Sequence, residues 1–576
     1  MEQAAKASFR PADDLAIGHS VAGASSLRGL TRAADRGSLV RQAVETTIVF
    51  VVILLVRLYR IGAIAVNADE LLHLYAARSL LHDGTLTIFG GVYERATHFT
   101  HLVAASIALF GDNPTAIRLP SAVAGAALVA LTYLWMRREA GLGPAVVAAA
   151  LLGLMAPVSD MAQFGRPYAV QSVLFWAATV LFYRSIVAVQ SRSVRLISAA
   201  ASVALLAESA QFQVTSLIGA AGLATWLVLY GTWRLRSSVS LGRLALAWAA
   251  GLLLCALFSR SSAFAGLYGS FRSTVFWGIA NKNDLFFYIR LIDRRYNFLL
   301  DFLPIAIITA IAVRPRPGLF CSVVFVSGFV LQSMGGMKAE RYLAYLLPFL
   351  ACIWGLAAWP LLVSVRNMVA ARIGPASSRR WAGSLVTVGV ASFCVVVAIR
   401  AAPVLSEEVR ELALPGYYRP RPDERERLWR EHAAILRPLA EKAAIFAVGD
   451  DLLADYYVAR PDLVLNTSRL LENEPFQQFV RDYRTGIPTI DDRSALHDLL
   501  ACFDSGLIVD IDFVYEWLSP DAKAFLREHM TPLDLGPVLH GFTWSAREGK
   551  PGRDCAGLRQ LVSASQRDRR IASERP

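Results

Sequence analysis

The chain has 576 residues, of which 55% are hydrophobic and only 18% charged, and its mean hydropathy is +0.43. So little charge over this length excludes a soluble globular protein and implies a polytopic membrane protein. The formal net charge of +12 does not point to nucleic acid, because the arginines cluster in short loops between apolar runs, the pattern of charge that sets membrane topology.

Residues 1–42 are polar, carry Arg28, Arg32, Arg36 and Arg41, and read as a disordered cytoplasmic arm. They are too long and too charged for the n-region of a signal peptide, and no small-residue cleavage site follows the next apolar run. The first span, 44–66, runs outward and delivers Asn67-Ala68-Asp69-Glu70 to the far water–lipid boundary. Leu71, Leu74, Ala77, Arg78 and Leu81 then follow at helical spacing, until Asp83-Gly84 breaks it. Asn67 can cap this helix, and Glu70 stands where a capping-box carboxylate reaches back. A cap needs only one acid. The second, Asp69, is left for chemistry.

The arginine bias gives the direction of each later crossing. Segment 118–136 returns to Arg137-Arg138, 143–163 goes out, and 168–189 comes back to Arg192 and Arg195. The run 196–233 holds two crossings with an outer turn near Glu208, and 241–259 exits again. Segments 298–313, 318–333, 343–365 and 381–399 complete about eleven spans, near the ~20 residues that a crossing takes. The apolar stretch 98–110 is too short to cross. It reads as an interfacial or re-entrant helix within a large outer loop, 61–116.

From Leu405 the composition becomes that of a soluble domain. Strands are expected at 443–448, 463–465 and 506–510, with helices at 450–459, 493–503 and 521–529, which makes a small α/β domain over 401–562. Residues 563–576 read as a disordered tail. An odd number of spans with the N-terminus inside places this domain outside the cytoplasm. Cys255, Cys321, Cys352 and Cys394 lie in apolar runs and read as small buried residues. Cys502 and Cys555 lie in the C-terminal domain, where an oxidising compartment would permit a disulfide.

This topology gathers polar residues on the outer face. The first loop supplies Asp69, Glu70, His73, Tyr93, Glu94, Arg95, His98 and His101; later turns supply Arg166, Tyr168, Lys338, Glu340, Arg341 and Tyr342. A carboxylate can take a proton from a hydroxyl, while Arg and Lys hold a phosphate and stabilise its growing charge. The bland alternatives are plain. Lys338 and Arg341 can be interfacial anchors with snorkelling stems, although outer-face cations run against the positive-inside bias. His73, four after Asp69, can be its helical partner. His98 and His101 are three apart without a third ligand, so no metal site is assigned and a divalent cation stays open.

These motifs resemble the GT-C superfamily of integral-membrane glycosyltransferases, in particular its glycosyltransferase family 39-like branch of protein mannosyltransferases and lipid A aminoarabinose transferase. The resemblance rests on Asp69-Glu70 after the first span, Leu109-Phe110-Gly111, Ile117-Arg118-Leu119-Pro120-Ser121-Ala122, Gly165-Arg166-Pro167-Tyr168, and Glu340-Arg341-Tyr342-Leu343 with Pro348. It covers about the first 400 residues and implies a GT-C-like catalytic domain over 43–400. It also implies that Asp69 is the catalytic carboxylate. The aminoarabinose-type enzymes carry a Lys-Pro motif in the first loop; here that region reads Tyr93-Glu94-Arg95-Ala96-Thr97-His98, without lysine. Arg95 is the candidate replacement.

The expected function is an inverting transfer of sugar from a polyprenyl-phosphate donor to an acceptor hydroxyl at the outer face of a bacterial inner membrane. Asp69 would activate the hydroxyl and Glu70 would orient it or the sugar. Arg95, His98, Arg166, Tyr168, Lys338, Arg341 and Tyr342 would bind substrate. The acceptor is a lipid, glycan or protein. A lipid-linked sugar flippase fits less well, because such proteins place ionisable residues near mid-membrane and show inverted repeats. An oligosaccharide ligase or polymerase shares the substrate class but does not account for the acid pair.

Overall fold

The computed structural model describes residues 24–563 apart from 90, 189–190, 237, 274–280, 373–395, 397–398, 401, 415–424, 466–477, 483–484, 491, 512–519, 550–551 and 553. The chain divides into two units, 1–48 and 49–576. Nearly all of the expected 381–399 span and the 564–576 tail lie outside the described residues, as does 1–23 of the expected arm.

Helix α1, Ala24–Leu58, begins well before the apolar run. Residues 24–42, expected to be irregular, are therefore helical. The stretch has no proline and is rich in Ala, Leu and Arg, so it extends a helix already nucleated by the apolar run. A short helix, α2, Ala68–Asp83, follows, closed by Gly84 in the left-handed conformation (φ 69°). The two-stranded ribbon β1 (Thr87–Ile88) and β2 (Gly91–Val92) leads to α3, Thr97–Phe110, whose 14 residues fall short of a crossing. Next come α4 (Pro114–Glu139), α5 (Leu142–Leu154), α6 (Ala156–Ala162), α7 (Tyr168–Val187) and α8 (Arg192–Phe212).

Among the described residues seven helices are long and apolar enough to cross a membrane: Ser38–Leu58, α4, α7, α8, Ser216–Leu235, Pro315–Met334 and Glu340–Met368. The protein is a multi-pass membrane protein. The expected crossing 143–163 is broken, since α5 and α6 bend by 65° and count as an eighth span only if taken together. Met155 is extended (φ −71°, ψ 117°) between them and Pro157 opens α6, where the ring removes a backbone donor and crowds the preceding turn. In the expected 241–259 span a helix runs over Leu241–Phe258, whereas the helix within the expected 298–313 span, Leu303–Val313, is short. In the latter case the helix stops at Asp301 and restarts at Leu303-Pro304. Seven or eight of the about eleven expected spans are thus found among the described residues.

The spans close around interlocked aromatic rings: Trp135 meets Trp176 and Tyr183 edge-on, and Trp226 meets Phe320. At one end of the bundle the buried Arg57 guanidinium donates to Glu408 (2.9 Å), Ser159 (2.7 Å) and the Gly153 carbonyl (2.7 Å). This ties the first span to the helix Pro403–Ala413.

The C-terminal region is built on a six-stranded sheet of β3 (Ile445–Val448), β4 (Leu463–Leu465), β5 (Thr489–Ile490), β6 (Gly506–Ile511), β7 (Thr531–Leu533) and β8 (Leu539–Trp544), in the order β5-β4-β3-β6-β8-β7. The first four are parallel, with helices Asp451–Tyr457 and Arg493–Cys502 between them, and β8 and β7 add an antiparallel edge. Buried Ile, Val and Leu runs suit strands covered on both faces. Cys502 and Cys555 are joined by a disulfide. The region does not stand apart from the membrane helices: Leu71, Leu74, Phe99 and Ile117 share one hydrophobic core with Trp429, Leu436, Phe446 and Tyr457.

Candidate functional site

The site grows from the N-terminus of α2. The Asn67 side chain accepts the Asp69 N–H (2.8 Å), and Glu70 reaches back to accept the Asn67 N–H (2.9 Å) in a complete capping box. Glu70 has other work as well. Its Oε1 accepts Arg118 Nε (2.7 Å) and the Gly165 N–H (2.6 Å), and its Oε2 accepts a terminal nitrogen of Arg118 (2.6 Å). Arg118 sends its remaining hydrogen bonds to the carbonyls of Ile61 (2.7 Å), Ile64 (3.0 Å) and Ala65 (2.9 Å). Both side chains are fully buried. The expected role of Glu70 in orienting substrate is corrected on this evidence, because all its lone-pair directions are taken by the protein.

Gly165 lets these parts meet. A Cβ there would lie 2.7 Å from Ile117 Cγ2 and 3.1 Å from Glu70 Oε1, so only glycine allows the approach. The turn it forms presents Arg166. This buried guanidinium donates to the Asp69 carbonyl (3.1 Å) and to the Tyr93 hydroxyl (3.1 Å), while its Nε has no hydrogen-bond partner.

Asp69 itself keeps 36% of its side chain exposed. One carboxylate oxygen lies 3.9 Å from a terminal nitrogen of Arg166 and 3.9 Å from one of Arg341. These distances exceed a hydrogen bond but lie within strong charge interaction. Arg341 comes from the short 3₁₀ turn Glu340–Leu346, and Tyr288 and Arg295 hold that turn through Ala339 and Glu340. Tyr168 lies 5.9 Å below both guanidiniums, and Tyr342 is 5.6 Å from Arg341. The two tyrosine rings meet edge-on at 5.9 Å, forming an aromatic floor that favours cations.

Asp69, Arg166, Tyr168, Arg341 and Tyr342 are therefore brought together. Arg95 is exposed, yet its charge acts on His73 and Tyr93 beside the site. His98 is held elsewhere, with its Nδ1 2.7 Å from Glu208 of α8. Lys338 also departs from expectation, since its ammonium donates to the backbone carbonyls of Lys282 (2.9 Å) and Gly335 (2.8 Å). Burial, then the Arg272 charge, lowers its pKa. Among the described residues no group of three or more His, Cys, Asp or Glu side chains is arranged to hold a metal ion.

Two contributors have roles that the sequence did not assign. Tyr93 is the hydroxyl partner of Arg166. His73 is wholly buried, edge-on to Tyr93 and Phe99, with Nδ1 2.9 Å from Thr100 Oγ1 and Nε2 without a hydrogen-bond partner. Burial, then the charge of Arg166, holds its pKa well below the usual histidine range. The available signal was its place one turn after Asp69.

Residues 95–260 match the family model of dolichyl-phosphate-mannose-protein mannosyltransferases. Comparison with curated proteins returns no match. Among solved structures, apo ArnT from Cupriavidus metallidurans is similar with a TM-score of 0.52 at 16% identity, over 88% of this chain and 98% of that one. ArnT bound to undecaprenyl phosphate gives 0.51 at 16% identity over the same shares. The archaeal oligosaccharyltransferase AglB from Archaeoglobus fulgidus, in complex with an inhibitory peptide and a dolichol-phosphate, gives 0.51 at 12% identity, over 86% of this chain and 74% of that one. At such identities the likeness is one of fold. The family match over 95–260 and the likeness of fold point the same way: the chain is similar to GT-C integral-membrane glycosyltransferases. Within that class the similarity is to the protein mannosyltransferases and to ArnT.

Proposed function

We propose that this protein transfers a sugar from a polyprenyl-phosphate donor to an acceptor hydroxyl, with inversion, at the outer face of a bacterial inner membrane. The observation that carries this reading is the half-open Asp69 carboxylate with the Arg166 and Arg341 guanidiniums both 3.9 Å away. ArnT and AglB, which share the fold, have been captured with undecaprenyl phosphate and dolichol-phosphate, and a lipid phosphate suits two forked cations.

In this mechanism Asp69 takes the proton of the acceptor hydroxyl as its oxygen attacks the anomeric carbon. The carbon–oxygen bond to phosphate breaks on the opposite face, and the electron pair leaves with the polyprenyl phosphate. Arg166 and Arg341 stabilise the charge that grows there. The leaving phosphate needs no proton, so one base and a cationic clamp complete the step. Tyr168 and Tyr342 support the guanidiniums, and Arg95 adds positive charge at the rim.

The C-terminal region touches the segment that carries Asp69, so both belong on the outer side in this reading. The Cys502–Cys555 bond supports that placement, because disulfides persist in oxidising compartments. The N-terminus is then cytoplasmic. A phosphatase fusion after Ile399 is expected to be active and one after Arg372 inactive.

The test is turnover of purified protein with defined polyprenyl-phosphate sugars and acceptors. Wild type is expected to release polyprenyl phosphate. Asp69→Asn is expected to lose at least about a hundredfold in rate with its fold intact. Near-normal turnover by folded Asp69→Asn would overturn the assignment.

A further inference from the structure

The C-terminal region grips the N-terminus of α2, and we propose that Glu426 and Tyr457 are positioning residues for the Asp69 carboxylate. This rests on the reading of Asp69 as the base. Glu426 opens the helix Arg425–Lys442 before β3, and Tyr457 closes the helix Asp451–Tyr457 after it, so one strand and its two flanking helices place both groups. Both side chains are buried.

The coupling runs through a single amide. Asn67 Nδ2 donates to Glu426 Oε1 at 2.6 Å, while Asn67 Oδ1 accepts the Asp69 N–H at 2.8 Å. Only this orientation of the amide satisfies both bonds. Turned over, it would set an NH2 group against the Asp69 N–H and an oxygen against a carboxylate. Glu426 therefore favours the amide orientation in which Oδ1 caps Asp69, and the cap holds the backbone of Asp69. One residue earlier, the Tyr457 hydroxyl accepts the Val66 N–H at 2.7 Å and closes the other side of the entry into α2.

Further contacts hold the same segment. Arg430 donates to the Ala63 carbonyl (2.9 Å), the Tyr75 hydroxyl bonds Asp455, and the Arg460 guanidinium lies 4.5 Å from the Phe89 ring. The cations facing Asp69 come from other elements, the turn before α7 and the turn Glu340–Leu346. Loosening the cap thus shifts the base relative to Arg341, which the turn Glu340–Leu346 carries. A displacement of about 1 Å is enough to cost on the order of a hundredfold in rate.

The experiment is steady-state kinetics on the full-length protein, with melting temperature measured in parallel. Glu426→Ala is expected to lower kcat about tenfold or more while the KM for donor stays within about twofold. Glu426→Gln keeps an acceptor for Asn67 and is expected to retain most of kcat. Tyr457→Phe keeps the ring, loses the acceptor for Val66, and is expected to lower kcat severalfold; it also serves if Glu426→Ala does not fold. Wild-type kcat in Glu426→Ala and Tyr457→Phe, beside an inactive Asp69→Asn, would overturn the positioning role and leave the base in place. Equal impairment of Glu426→Gln and Glu426→Ala would overturn it as well. An active Asp69→Asn would instead remove the base reading on which both stand.

Discussion

Glu70 and Arg118 face each other through two hydrogen bonds of 2.7 and 2.6 Å, both side chains buried, 48 residues apart in the chain. The acid adjacent to Asp69 is thereby fully committed to structure. Truncating one partner of such a pair leaves an unpaired buried charge, at a cost of about 3–5 kcal/mol. Glu70→Ala and Arg118→Ala are expected to lose folded protein, read as recovery and melting temperature in detergent, whereas Asp69→Asn should melt like wild type. Wild-type melting of Glu70→Ala would contradict this division of labour.

Arg341 and Lys338 are expected to separate in a donor titration. Arg341→Ala removes a cation facing Asp69 and should raise the KM for donor at least about thirtyfold, in line with the 2–5 kcal/mol seen when one member of a buried charge pair is truncated. Arg341→Lys should also be impaired, because a point charge lacks the planar fork. Lys338→Ala should change KM much less, its ammonium being bound to the carbonyls of Lys282 and Gly335.

His73 gives the protein a defined acid limit. Its folded pKa lies well below the unfolded value of about 6.5, so the unfolded chain binds that proton first. Stability from this residue is complete above about pH 6.5 and falls as pH drops, by about 1.4 kcal/mol per unit until the folded pKa is reached. Melting measured between pH 7 and 5 should decline less steeply in His73→Gln than in wild type. Parallel slopes would remove His73 from this account.

The Cys502–Cys555 bond closes a loop of 53 residues, a length for which a cross-link is worth about 2–4 kcal/mol. Maleimide labelling of denatured protein at these two positions should require prior reduction. Cys555→Ser should lower the melting temperature and increase proteolysis after residue 401. Ready labelling without reductant would mean that the thiols are free.

Local physics made half of the site legible in the sequence. The Asn67 cap, the Glu70 box and the leftover Asp69 follow from spacing within one helical turn. The Arg118 pairing does not, because an arginine at a span end looks like any other topogenic charge until the fold carries it 48 residues back. Lys338 was visible as an outer-face cation, but its hydrogen bonds depend on a turn that composition does not encode. The breaks at the ends of two expected spans escaped the sequence for a related reason. Hydropathy sums apolar residues and passes over Pro157 and the break at Phe302, where backbone hydrogen bonding stops. The sheet of the C-terminal region was legible in three of its four parallel strands, β3, β4 and β6, while the two-residue β5 was missed. The edge pair β7 and β8 was not legible, lying beyond the alternation of strand and helix.

The grip on α2 has a consequence for how the protein is made. Val66 and Tyr457 are 391 residues apart, and Asn67 and Glu426 are 359 apart. The helix bearing Asp69 leaves the ribosome more than 350 residues before the side chains that seat it. A chain interrupted before residue 426 carries every residue assigned to catalysis yet lacks the parts that set the acid in place. On the proposed reading, insertion of the membrane helices and the onset of activity are separated in time.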